Sequence, residues 1–209
     1  MSMSNAPAQR FLSLRELLVY KISQLDQKDR RWFDNLVPLN AVNVVSALVI
    51  NTTARKSLLL YESFLFGSAA ISIFTCAMSN VFQFGLLQVP MTQGKLSCPS
   101  CAITRGCLVQ ALAGFVTPTL FSIAFNAISA ERYKSAAIPD LSSKNFKSFW
   151  REKLRYMGRY TWAVLAIQVM VGGFLAYRQY KVVENVKGTI TQEECQELVK
   201  EAFSQLHYY

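Results

Sequence analysis

Two cysteines two residues apart, in Cys98-Pro99-Ser100-Cys101, form the one spacing in this 209-residue chain that invites chemistry. Three readings compete for it. A thioredoxin-like redox pair needs a βαβ setting that the flanking sequence lacks, although a helix starting near Cys101 with Arg105 beside it would lower a thiol pKa. A structural zinc site needs four ligands, and only Cys107 and the remote Cys195 or His207 could complete the set. The third reading is a plain disulfide or two free thiols in a structural loop, and the compartment decides which.

Other reactive groups are scarce. The sole histidine, His207, stands third from the end and reads as a solvated tail residue. There is no Gly-rich phosphate loop and no H-E-x-x-H pair. The expectation is a non-enzyme, with no catalytic residue, no cofactor and no metal site assigned.

The elements that position the cysteine loop are two uncharged runs, Ser63 to Gly94 before it and Gly106 to Ala130 after it. Two further runs, Asn35 to Ala54 and Tyr160 to Tyr177, are also free of charge, and all 22 Lys and Arg and 13 Asp and Glu lie outside the four. A soluble core helix carries charge on its wet face every turn or two, whereas about 20 apolar residues span a bilayer core of about 30 Å. The predicted fold is therefore all-α, a four-helix transmembrane bundle with both termini on one side. Cys76 falls inside the second run as a buried, inert thiol.

The formal charge of +9 has a membrane explanation. Eight of the 22 basic residues lie between Arg132 and Arg159, directly before the fourth run. Basic residues flanking apolar spans anchor to anionic headgroups, and no motif for reading RNA or DNA accompanies them, so nucleic acid is excluded as a partner.

Three amphipathic helices complete the expectation. Residues 1–34 form an N-terminal region with a faint mitochondrial targeting composition; Ser13 and Glu16 make a capping box, Leu12 and Leu17 a staple, and Leu14, Leu17, Leu18, Ile22 and Leu25 an apolar face for the membrane surface or a partner. In the third connection Ser143 caps a helix whose Phe146, Phe149, Trp150, Leu154 and Met157 share a face. Lys144, Lys147, Arg151 and Arg155 crowd the other, as lipid-headgroup contacts before the chain turns into the membrane. In the tail, residues 181–209, Thr191 and Glu194 make a second capping box ahead of a stripe from Cys195 to Leu206.

Within the transmembrane domain, residues 35–180, Asn40, Asn43, Asn51, Gln110, Asn126 and Gln168 should face neighbouring helices, because carboxamides are costly in hydrocarbon. The amides look scattered, with no continuous polar stripe of the kind a solute channel needs. The second span should end near Pro90 in an interfacial loop, and the third should kink at Pro118. Gly114, Pro118 and Ser122 at intervals of four, with Gly172 and Ala176, mark tight helix packing.

With these residues in view, the chain resembles the transmembrane protein 126 family of the mitochondrial inner membrane. The likeness is densest in Cys98-Pro99-Ser100-Cys101-Ala102-Ile103-Thr104-Arg105, and it continues through Pro118, Arg132-Tyr133-Lys134-Ser135-Ala136 with Pro139, Gln179-Tyr180-Lys181, and Arg55-Lys56 after Asn51. It resembles most the branch that keeps the paired cysteines. The resemblance implies an inner-membrane protein that assists assembly of respiratory complex I by binding, with membrane-arm subunits, other assembly factors and inner-membrane lipids such as cardiolipin as partners. Small-residue faces would hold the hydrophobic clients. Lys and Arg number 12 on the terminal side against 10 on the other, which leaves orientation open. The basic density before the fourth span leans toward placing that connection in the matrix.

Overall fold

The computed structural model describes residues 14–34, 36–60, 64–96, 98–139 and 143–190, and all regular structure among them is helical. Two short helices, α1 (Leu14–Ser23) and α2 (Gln27–Asp34), precede four long ones. These are α3 (Val37–Ser57), α4 (Phe64–Thr92), α5 (Pro99–Arg132) and α6 (Phe146–Gly188), each long and apolar enough to cross a membrane. The protein is thus an all-α, four-span membrane bundle. At about 1.5 Å per residue α3 matches a hydrocarbon core of about 30 Å, while the 43 residues of α6 reach about twice that.

Local chemistry sets the ends of the spans. Pro38 opens α3, where a missing N–H costs nothing, and Arg55 and Lys56 in its last turn face the negative end of the helix dipole. Three spans then close on the same device. After α3 the Leu60 N–H reaches Arg55 O at 3.0 Å, after α4 the Lys95 N–H reaches Pro90 O at 3.0 Å, and after α5 the Ser135 N–H reaches Ala130 O at 3.0 Å. Each closure needs a left-handed residue, supplied by Leu59 (φ 54°), Gly94 (φ 72°) and Lys134 (φ 50°).

The two prolines inside spans share one local device. The second span ends two residues past Pro90, at Thr92, with Pro90 itself inside the helix and not in a loop. A π-helical turn, Ala111–Val116, ends two residues before Pro118, and a matching turn, Gln83–Gln88, ends two residues before Pro90. A proline ring crowds the carbonyl four residues back, and a widened turn relieves that contact. Thr117 Oγ1 donates to Leu112 O at 2.9 Å inside the wide turn.

Two expectations change. The apolar face of α1 packs within the chain: Leu18 and Ile22 join Phe33 of α2, Leu87 and Met91 of α4, and Tyr180, Val183 and Val186 of α6 in one buried cluster. The basic stretch of the third connection is not a separate interfacial helix, because α6 runs unbroken from Phe146 to Gly188, across residue 180. Ser143 stands just ahead of it, its carbonyl accepting from the Phe146 N–H at 3.1 Å and its Oγ from the Asn145 N–H at 3.2 Å. Leu12, Ser13, Thr191, Glu194, the stripe from Cys195 to Leu206, and His207 lie outside the described residues.

Candidate functional site

The paired cysteines sit at the start of α5. Cys98 is extended (φ −124°, ψ 143°) and serves as N-cap, its Sγ accepting from the Cys101 N–H at 3.2 Å, with Pro99 at the first helical position. The two sulfurs are joined in a disulfide, with Cα atoms 5.4 Å apart. So bonded, they offer no thiolate to a metal, and among the described residues no three His, Cys, Asp or Glu side chains are grouped to hold one. An open cleft of about 420 Å³ beside the disulfide is lined by Lys95, Leu96, Ser100, Cys101, Thr104 and Arg105. Cys107 lies apart from the pair, its Sγ donating to Val169 O at 3.4 Å across the α5–α6 contact.

The larger feature is a polar seam through the bundle. From Ala102 every fourth residue of α5 is buried: Gly106, Gln110, Gly114, Pro118, Ser122, Asn126 and Ala130 follow. Steps of four overshoot a helical turn of 3.6 residues, and the wide π turn takes back part of that drift. Facing this row, the amides of the other spans fall into layers. At one end Asn126 Nδ2 donates to Asn51 Oδ1 (2.7 Å) and Asn51 Nδ2 to Ser68 Oγ (2.9 Å). In the middle Gln168 Nε2 donates to Ser46 Oγ (2.8 Å) and Gly114 O (3.3 Å). Next, Gln110 Nε2 donates to Ser79 Oγ (3.3 Å). At the other end Gln83 Nε2 donates to Gln179 Oε1 (2.9 Å), and both Gln88 and Gln179 donate to Phe33 O.

Gly114 explains why these groups meet where they do. Pro118 brings no N–H to the Gly114 carbonyl four residues back, and Gln168 supplies a donor to that oxygen from α6. A methyl on Gly114 would lie 2.6 Å from Gln168 Oε1 and 2.8 Å from Asn43 Oδ1, so the seam has no room there for one carbon. Asn43 is fully buried, with neither amide atom bonded among the described residues. The amides that look scattered in the sequence therefore converge, and they do so in close packing.

The residues marked for tight packing lie in this same interior. A Cβ on Gly172 would stand 2.6 Å from Gly106 O and 2.5 Å from Gln110 Cγ, and Ala176 presses on Gly106. Pro118 and Ser122 are buried on α5. Lys144, Lys147, Arg151 and Arg155 are not drawn into the bundle and stay exposed at its far end. The one signal that could have revealed the whole seam is the row of Ala, Gly, Gln, Ser and Asn at every fourth position of α5, of which Gly114 to Ser122 is the middle.

Comparison with known proteins gives a consistent relationship. The family model described as transmembrane protein 126 matches residues 13–193. Transmembrane protein 126A of Mus musculus is 28% identical over 165 residues, covering 78% of this chain and 82% of the relative. The Rattus norvegicus and Homo sapiens proteins of that name are 27% and 26% identical, over 82% and 83% of their own lengths and 78% of this chain. No solved structure matches.

Proposed function

The chain belongs to the transmembrane protein 126 family, and from that membership we propose that it is a non-catalytic assembly factor of the mitochondrial inner membrane, which binds and stabilises membrane-arm intermediates of respiratory complex I. The resemblance supplies the process, the address and the partners. The mode of action rests on one observation: the polar side chains of the spans point inward to one another, and the outward face is apolar, with Leu65, Phe66, Ile73 and Ile128 each about 70–80% exposed. A face of that kind engages other spans sideways, through packing in lipid.

The clients must use that outer face. Gly114, Ser122, Gly172 and Ala176, the small residues marked for helix packing, are taken up by contacts within the bundle itself and leave no small-residue face of their own for a client. Inner-membrane lipids, cardiolipin among them, complete the set of partners.

Deleting the protein should lower assembled complex I on native gels while the other respiratory complexes stay near normal. A parallel fall of all of them would replace this reading with a general role in membrane insertion. Protease protection with a tagged terminus would fix the orientation.

A further inference from the structure

We propose that the far end of α6 is a docking post for an acidic helical segment of a partner protein, a reading that rests on the assembly role above and names one of its contact surfaces. The first observation is depth. Gln168 Nε2 meets Ser46 Oγ at 2.8 Å, so the two positions lie at a common level. Nine residues on, α3 reaches Arg55 and ends at Ser57, whereas nine residues from Gln168, α6 reaches Arg159 and continues for thirteen more, to Phe146. That overhang is about 20 Å long, and the headgroup layer is only roughly 5–7 Å thick on each side. Arg155 and Arg159 belong to the headgroups. Arg151 and Lys147, about 12 Å and about 18 Å beyond Arg159, stand past them.

The second observation is pattern. Lys147, Arg151, Arg155 and Arg159 are all exposed and recur every four residues, giving a row of cations at intervals of about 6 Å. Glu152 is the single carboxylate between Phe146 and Arg159. Phe149 and Trp150, 5.5 Å apart edge to face, occupy another side of the same turns, and Lys153 lies over the Phe149 ring. The row is free to meet a helix carrying Asp or Glu at the same spacing, which gives register as well as attraction.

The test is a photo-crosslinking residue at exposed Ser148 in the full-length chain in mitochondrial membranes, with a second at Trp162, 68% exposed in the apolar band, as the lipid control. The expected product at Ser148 is a peptide with carboxylates every three or four residues. Its yield should fall by about tenfold or more with Lys147→Glu plus Arg151→Glu, and similarly at high salt. Both variants lie outside the packed seam, and unchanged thermal unfolding would verify that the bundle is intact. Crosslinks to lipid alone, or a yield indifferent to charge reversal, would overturn the proposal. If the acidic segment belongs to a protein unconnected with complex I, the docking post stands and the assembly reading falls.

Discussion

Asn51 accepts from Asn126 at 2.7 Å through its Oδ1 and donates to Ser68 at 2.9 Å through its Nδ2, so one carboxamide ties α3 to both α5 and α4. In water such bonds exchange with solvent at little net gain; in a lipid-embedded core the alternative partner is missing, and the bond fixes which helices meet.

That relationship predicts coupling. Asn51→Ala and Asn126→Ala should each cost about 1–2 kcal/mol, because each removes the 2.7 Å amide–amide hydrogen bond from a buried pair, while Asn126 keeps its bond to Ser122 O and Asn51 its bond to Ser68 Oγ. The double variant should cost less than the two added together, by about 0.5–1.5 kcal/mol. Unfolding of the purified protein in detergent measures the cycle; strict additivity would mean that the pair does not interact.

A tightly packed glycine and an open one should respond in opposite ways. Gly172→Ala drives a methyl against the Gly106 carbonyl, a backbone atom that cannot swing aside, and should destabilise by about 1–3 kcal/mol. Gly85 has nothing within 4 Å of a Cβ. Gly85→Ala should be neutral or stabilising by up to about 1 kcal/mol, as read from the same unfolding transition.

A deletion scan of α5 checks the wide turn. Removing Leu112, half-exposed within the π turn, lets that segment close into an ordinary helix and keeps Ser122 and Asn126 on their face. Removing Leu120, equally outward-facing but in the regular part, turns everything on one side of it by about 100°. The first variant should accumulate in the membrane and lose about 3 kcal/mol, the cost of bringing the Pro118 ring back against the carbonyl four residues earlier; the second should not accumulate.

At the disulfide, the roles of cap and crosslink separate. Replacing both Cys98 and Cys101 by Ser keeps an N-cap oxygen and loses a crosslink closing a four-residue loop, at most about 2 kcal/mol by chain entropy. Cys98→Ala removes the cap too and should cost about 1 kcal/mol more. On the proposed assembly role, full rescue by the double Ser variant would remove thiol chemistry from the function.

The left-handed residues offer a gain. Lys134 is exposed with φ 50°, and Lys134→Gly should raise stability by about 1 kcal/mol, seen as a higher unfolding temperature.

What could be read from the chain divides along physical lines. Segregation of charge revealed the four spans, because hydrocarbon excludes charge from each run separately and no knowledge of neighbours is needed. The spacing of Gly114, Pro118 and Ser122 likewise betrays a buried face of one helix. The meeting of Gln168 with Gly114 is different: it depends on the register between α5 and α6 and on a turn widened ahead of Pro118, neither of which a single-helix pattern encodes. The extent of α6 was hidden for a related reason. Arg155 and Arg159 mark where the apolar window stops, and a window that stops is easily taken for a helix that bends. The partner of the α1 face, Tyr180 and Val183 on α6, lies more than 150 residues away in sequence, beyond the reach of local pattern.

The placing of the seam's partners also decides which partial bundles can satisfy themselves. With α3 and α4 alone only the Asn51–Ser68 bond of the seam is made; Ser79 gains Gln110 with α5, while Ser46 and the Gly114 carbonyl gain Gln168, and Gln83 gains Gln179, only with α6. Any intermediate lacking the last span therefore holds unpaired carboxamides in hydrocarbon, and entry of α6 is the event that closes the interior.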